Sequence, residues 1–196
     1  MIDEDRGADA DARTRVAAAA VAPGQAAERH APADTVAPAP GMHGPGMHGP
    51  APIRPERGAC RWQDVVPMAY KDEGSAPFRD VSRQVLFDDA RMGCELRYFE
   101  VAPGGHSTLE RHQHVHAVII LRGAGRCLVG DVVAPVAAHD LVHIPPMTWH
   151  QFRAAPDQPL GFLCMVDRVR DRPQLPGPDD LAALRARPAV AAFLDG

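Results

Sequence analysis

Between Arg83 and Asp167 apolar and polar residues alternate in short runs, broken at regular intervals by turn residues. Period-two alternation places successive side chains on opposite faces of an extended chain. The pattern predicts strands at Arg83–Phe87, Cys94–Val101, Ser107–His112, His116–Leu121, Arg126–Val129, Val132–Val136, Asp140–Ile144, Gln151–Ala154 and Leu160–Asp167. The breaks are Asp88-Asp89, Pro103-Gly104-Gly105, Gly123-Ala124-Gly125, Gly130-Asp131, Pro145-Pro146 and Pro156-Asp157, all suited to turns. Short strands at this spacing imply an all-β sandwich or barrel.

The flanks read differently. Residues 1–58 are rich in Ala, Pro and Gly with almost no large apolar side chains, the composition of a disordered arm. Arg13–Ala22 could form a transient helix ended by Pro23-Gly24. The arm carries a tandem repeat, Gly41-Met42-His43-Gly44-Pro45 and Gly46-Met47-His48-Gly49-Pro50. Its thioether–imidazole pairs could bind Cu(I), but low-complexity expansion explains them more simply. Residues 59–170 form the predicted domain, and 171–196 a proline-rich linker followed by a short helix. In Asp179–Arg187 the acids come first and the arginines last, an order that complements the helix dipole. Pro188 breaks this helix, and Ala189–Leu194 makes one more turn.

The chemistry concentrates at Glu110, His112, His114 and His116. One strand cannot bring all four to one ion. At ~3.3 Å per residue, Glu110 and His116 would sit ~20 Å apart, whereas metal–donor bonds are ~2 Å. The chain must turn at Gln113–Val115, so that Glu110 and His112 share a face and His116 returns on the next strand. His114 falls in the turn, as a solvent-facing or supporting residue. A further His, His150, follows the Pro145-Pro146 turn.

The two stretches resemble the two motifs of the cupin superfamily. Gly123 follows His116 by seven residues, as in the first motif, which aligns Glu110-X-His112 with the family's His-X-His. Pro145 and His150 match the second motif, while His139, Met147 and Ala154 depart from it. The resemblance implies a cupin double-stranded β-helix (a jelly-roll barrel). It also implies one divalent metal held by Glu110, His112, His116 and His150, with His114, Met147, Trp149 and Phe152 as supporting or lining residues. Fe(II) is the leading ion, with Mn(II), Zn(II), Ni(II) or Cu as alternatives. Further lining candidates are Phe99, Val118, Ile120, Phe162 and Met165. His143 is a candidate for the cavity, and Arg97 and Arg126 are candidates for binding an anionic substrate.

Net charge is −4, so no basic footprint for nucleic acid is visible. The chain has no apolar run long enough to span a membrane. Its four cysteines form no Cys-X-X-Cys, which suits free thiols in a reducing, cytoplasmic compartment. Arginine is plentiful, and the single lysine is Lys71. The expected function is an oxidoreductase of dioxygenase type acting on a small organic substrate. The alternative is a non-enzymatic, metal-dependent binding or sensor module. An isomerase or decarboxylase is a third reading, and a homodimer is compatible with any of them.

Overall fold

The computed structural model describes residues 52–72 and 74–196. The Gly-Met-His-Gly-Pro repeat and the predicted Arg13–Ala22 helix therefore lie outside the described residues, as does most of the predicted arm. Residues 52–58 are described: Glu56 bridges to Trp62, and the Arg54 guanidinium lies over the Phe87 ring at 5.1 Å.

Eight strands form the barrel: β1 (Met68–Ala69), β2 (Arg79–Phe87), β3 (Cys94–His106), β4 (His116–Val129), β5 (Val132–Ala137), β6 (Leu141–Ile144), β7 (His150–Ala154) and β8 (Leu160–Asp167). Two helices follow, α1 (Pro178–Arg185) and α2 (Pro188–Asp195). All pairings are antiparallel. β4 runs through both halves of the barrel. Its first part lies between β6 and β8, and its second part between β7 and β5. β3 pairs with β2 and β8 and touches β7 at His106. Two sheets thus share β3 and β4 and enclose one core.

Two predicted turns are bends within strands. Gly104 and Gly123 have φ of 69° and 73°, the left-handed region that favours glycine. At Gly123, β4 changes partners. A Cβ there would sit 1.7 Å from the Pro159 carbonyl oxygen, and one at Gly125 would sit 2.1 Å from that of Arg153. The glycines let two backbones approach where the strand crosses from one sheet to the other. The predicted strand Ser107–His112 forms no ladder. It is extended chain tied by isolated bridges, Glu110 to His150 and Arg111 to Gln174. Alternation alone could not show that its backbone partners are single residues.

The inner face carries Phe99, Val101, Val118, Ile120, Ile144, Phe152, Leu160 and Phe162. A second cluster lies outside the barrel. There Leu184, Val190 and Phe193 of the helices meet Leu109 and Leu128, with Trp149 alongside. The Asp180 carboxylate accepts from the Gly177 N–H at the start of α1, at 3.0 Å, and Arg185 pairs with Asp195 across the two helices at 3.1 Å. The final segment is a full helix of eight residues, longer than the single turn predicted. No helix among the described residues is long and apolar enough to cross a membrane.

Candidate metal centre

Three short elements converge on one point. Glu110 and His112 come from the extended segment after β3, His116 opens β4, and His150 opens β7. The backbones of Glu110 and His150 bond to each other in both directions, at 3.2 and 3.0 Å. That bridge sets the two donors side by side. The potential ligand atoms of Glu110, His112 and His150 lie within 4.8 Å of one another, as do those of His112, His114 and His116.

The tautomers follow from the partners. His112 Nδ1 lies 2.8 Å from the His114 carbonyl oxygen, and His150 Nδ1 lies 2.9 Å from that of Thr148. A carbonyl only accepts, so each Nδ1 carries the hydrogen and each Nε2 presents a lone pair. His112 Nε2 and His116 Nε2 are buried without a hydrogen-bond partner among the described residues. Such an orphaned ring nitrogen is costly unless a ligand completes it. Burial, reinforced by the neighbouring rings, lowers the His112 and His150 pKa values to about 4 and that of His116 to about 2. The imidazoles are therefore neutral at pH 7, the state that binds metal. The donor set fits a divalent ion.

His114 is buried (8% exposed), and its ring stacks on His112 with centroids 3.6 Å apart. The solvent-facing expectation does not describe it. Its Nδ1 meets the Asp171 carboxylate at 2.7 Å, and Asp171 also accepts from the Gln113 N–H at 2.9 Å. These bonds hold the Asp171 carboxyl down at about 2. The linker after β8 thus fastens the turn that carries His114.

The donors open into a cavity of about 280 Å3. Phe99, Phe152 and Phe162 form its apolar wall, with Phe162 stacked on Phe152 at 4.4 Å and on Phe99 at 5.5 Å. Lys71, Arg83, Arg97 and Arg170 add cations. Lys71 forms a salt bridge with Glu110. Motif reading did not find Lys71, although its standing as the single lysine in an arginine-rich chain was a signal. Arg83 and Arg170 carried none, because they reach the cavity from distant segments.

Other candidates lie elsewhere. Met147 donates its N–H to the His112 carbonyl at 2.7 Å, but its side chain does not line the cavity. Trp149 packs in the outer cluster under the Arg111 guanidinium, at 4.3 Å. Met165 and His143 are exposed on the outer face, where Ala117 pairs with both of them. Arg126 also points outward, over Phe193 at 5.6 Å. All four cysteines are unpaired. Burial pushes the thiols of Cys127 and Cys164 up to about 12.

Residues 97–166 match the family model of the cupin domain. The chain is 63% identical over 145 residues to the 1-methylthio-D-xylulose 5-phosphate methylsulfurylase of Rhodospirillum rubrum, covering 74% of this chain and 93% of that protein. A cupin 2 conserved barrel protein from Rhodopseudomonas palustris superposes with a TM-score of 0.69 at 59% identity, covering 72% of this chain and 97% of that one. A cupin 2 domain-containing protein from Halorhodospira halophila gives 0.55 at 43% identity, covering 67% and 85%.

Proposed function

This chain belongs to the cupin family, and we propose that it is a metal-dependent enzyme acting at the methylthio group of a phosphorylated ketose. The observation that carries this reading is the 63% identity to a methylsulfurylase over 145 residues, 74% of this chain. The cavity is consistent with it. The Phe99, Phe152 and Phe162 wall suits a methylthio group and excludes water, while the arginines suit an anion. Held by Glu110, His112, His116 and His150, a divalent ion would supply Lewis-acid polarisation of a substrate carbonyl. The Glu110 carboxylate would lower the net charge of the centre and favour a hard ion such as Fe(II) or Mn(II) over Cu(I). Lys71 Nζ, paired with that carboxylate, would hold a proton beside the donor cluster.

An oxidoreductase of dioxygenase type would use the same donors, and so would a module that binds without turnover. Full-length protein of measured metal content should be incubated with 1-methylthio-D-xylulose 5-phosphate, with and without an added nucleophile. Proton NMR then follows the methylthio resonance while an electrode follows oxygen. Conversion without oxygen uptake supports the proposal. Stoichiometric uptake supports the dioxygenase, and tight retention without conversion supports the binding module.

Two weaker features belong to the same reading. Unpaired cysteines suit a reducing cytoplasm. Leu141, Ile119 and Met165 are exposed on the outer face of adjacent strands, a surface that suits a homodimer; sedimentation velocity would test this.

A further inference from the structure

The geometry points to Arg83, Arg97 and Arg170 as an anion subsite that takes the phosphate of a sugar phosphate, on the cavity wall formed by β2, β3 and the segment after β8. This rests on the substrate reading above. The register places the first two arginines on the inner face: Arg83 pairs with Phe99, and Arg97 with Cys164. Phe99 and Cys164 both line the cavity, as do all three arginines.

The local charge does not balance. Arg97 Nε donates to Glu95 Oε2 at 2.8 Å, and Arg170 Nη1 lies 3.1 Å from the same oxygen. One nearly buried carboxylate therefore faces three guanidiniums. The two acids that line the cavity are engaged, Glu110 with Lys71 and Asp171 with His114. Arg83 Nε is buried with no hydrogen-bond partner among the described residues. Burial and the repulsion of Arg97 lower the Arg83 pKa. A buried guanidinium nitrogen without an acceptor is costly. A ligand oxygen would remove that cost. A phosphate dianion offers several acceptor oxygens to guanidinium forks, a better match than a single lysine could make.

The spacing also fits. β3 and β8 separate β2 from β4, and Arg83 is in register with Ile120 through Phe99 and Phe162, so the backbones carrying Arg83 and His116 are offset by ~14 Å across the sheet at ~4.8 Å per strand and by ~13 Å along it at ~3.3 Å per residue. The side chains of both residues line the same cavity. A phosphate on the arginines would set the far end of a pentose at the Glu110/His112/His116/His150 cluster.

The test uses calorimetric titration of the full-length, metal-loaded protein with D-xylulose, D-xylulose 5-phosphate, D-xylonate and inorganic phosphate. The 5-phosphate should bind at least about tenfold more tightly than the free sugar, and inorganic phosphate should compete with it. Arg83→Met should remove most of that preference while metal content stays unchanged. Arg83→Lys should keep part of it, because the charge remains but the fork is lost. Arg83 is the choice because removing Arg97 would leave Glu95 short of a partner. Equal binding of sugar and sugar phosphate by the wild type overturns the subsite even if no variant folds. So does D-xylonate binding as tightly as the phosphate, or an Arg83→Met protein that keeps the preference. The activity assay separates the two claims. Turnover of the methylthio substrate without a phosphate preference sinks the subsite alone. An Arg83-dependent preference without turnover sinks the activity alone.

Discussion

His114 lies face to face on His112, with centroids 3.6 Å apart and planes within 6°. An imidazole lone pair lies in its ring plane, so the lone pairs of two parallel rings run side by side instead of converging. Asp171 fixes the orientation of the His114 ring, and on our proposal His114 would support an ion held by its neighbours by stacking on His112.

His112→Ala should abolish metal retention. His114→Ala should keep about one ion per chain, while losing stability because a buried ring is removed. Metal analysis of both variants beside their melting curves checks this. A His114→Ala protein that loses the ion while Glu110→Ala keeps it would shift the ligand set to His112, His114, His116 and His150.

Lys71 and Glu110 form a salt bridge at the centre. Glu110→Gln should weaken metal binding by about tenfold or more. Lys71→Met removes a cation that competes for the same carboxylate, so it should tighten metal binding while lowering turnover. Chelator competition reads the first effect and the methylthio assay the second. Weaker metal binding in Lys71→Met would contradict the competition argument.

The metal-free protein should lose stability as the pH falls. In the unfolded chain histidine takes up a proton near pH 6.5. In the fold His112 and His150 do so only near 4, and His116 near 2. Between these limits the unfolded state binds more protons, so stability declines with falling pH. The Tm of chelator-treated protein should be highest above pH 7 and fall steadily from about pH 6.5 toward 4. A flat profile across that interval would mean that the imidazoles are not buried as neutral groups.

Gly123→Ala should cost more than about 3 kcal/mol, because a left-handed φ and a clash with the Pro159 backbone combine at one position. Urea titration measures it. A loss below about 1 kcal/mol, within the usual range of a simple glycine replacement, would mean that β4 and the Pro159 segment can move apart.

Much of this protein is decided locally. Period-two alternation places Phe99, Val118, Ile120 and Phe162 on the inner face, because adjacent side chains must point to opposite sides of a strand. The reach of a metal–donor bond forces a turn between His112 and His116, and Gln113 and His114 do form a bend. The order of acids and arginines in 179–187 marks α1. What the sequence could not decide is what each backbone meets. Gly123-Ala124-Gly125 has turn composition, but it bends a continuous strand because Pro159 and Arg153 press against it. Met147 and Trp149 stand beside His150 in sequence, yet their side chains leave the cavity. Lys71, Arg83, Arg170 and Asp171 enter the cavity from segments up to 100 residues apart, and no spacing rule links them. Strand alternation is a property of the local chain, whereas convergence on one cavity depends on which strands pair and where the barrel closes.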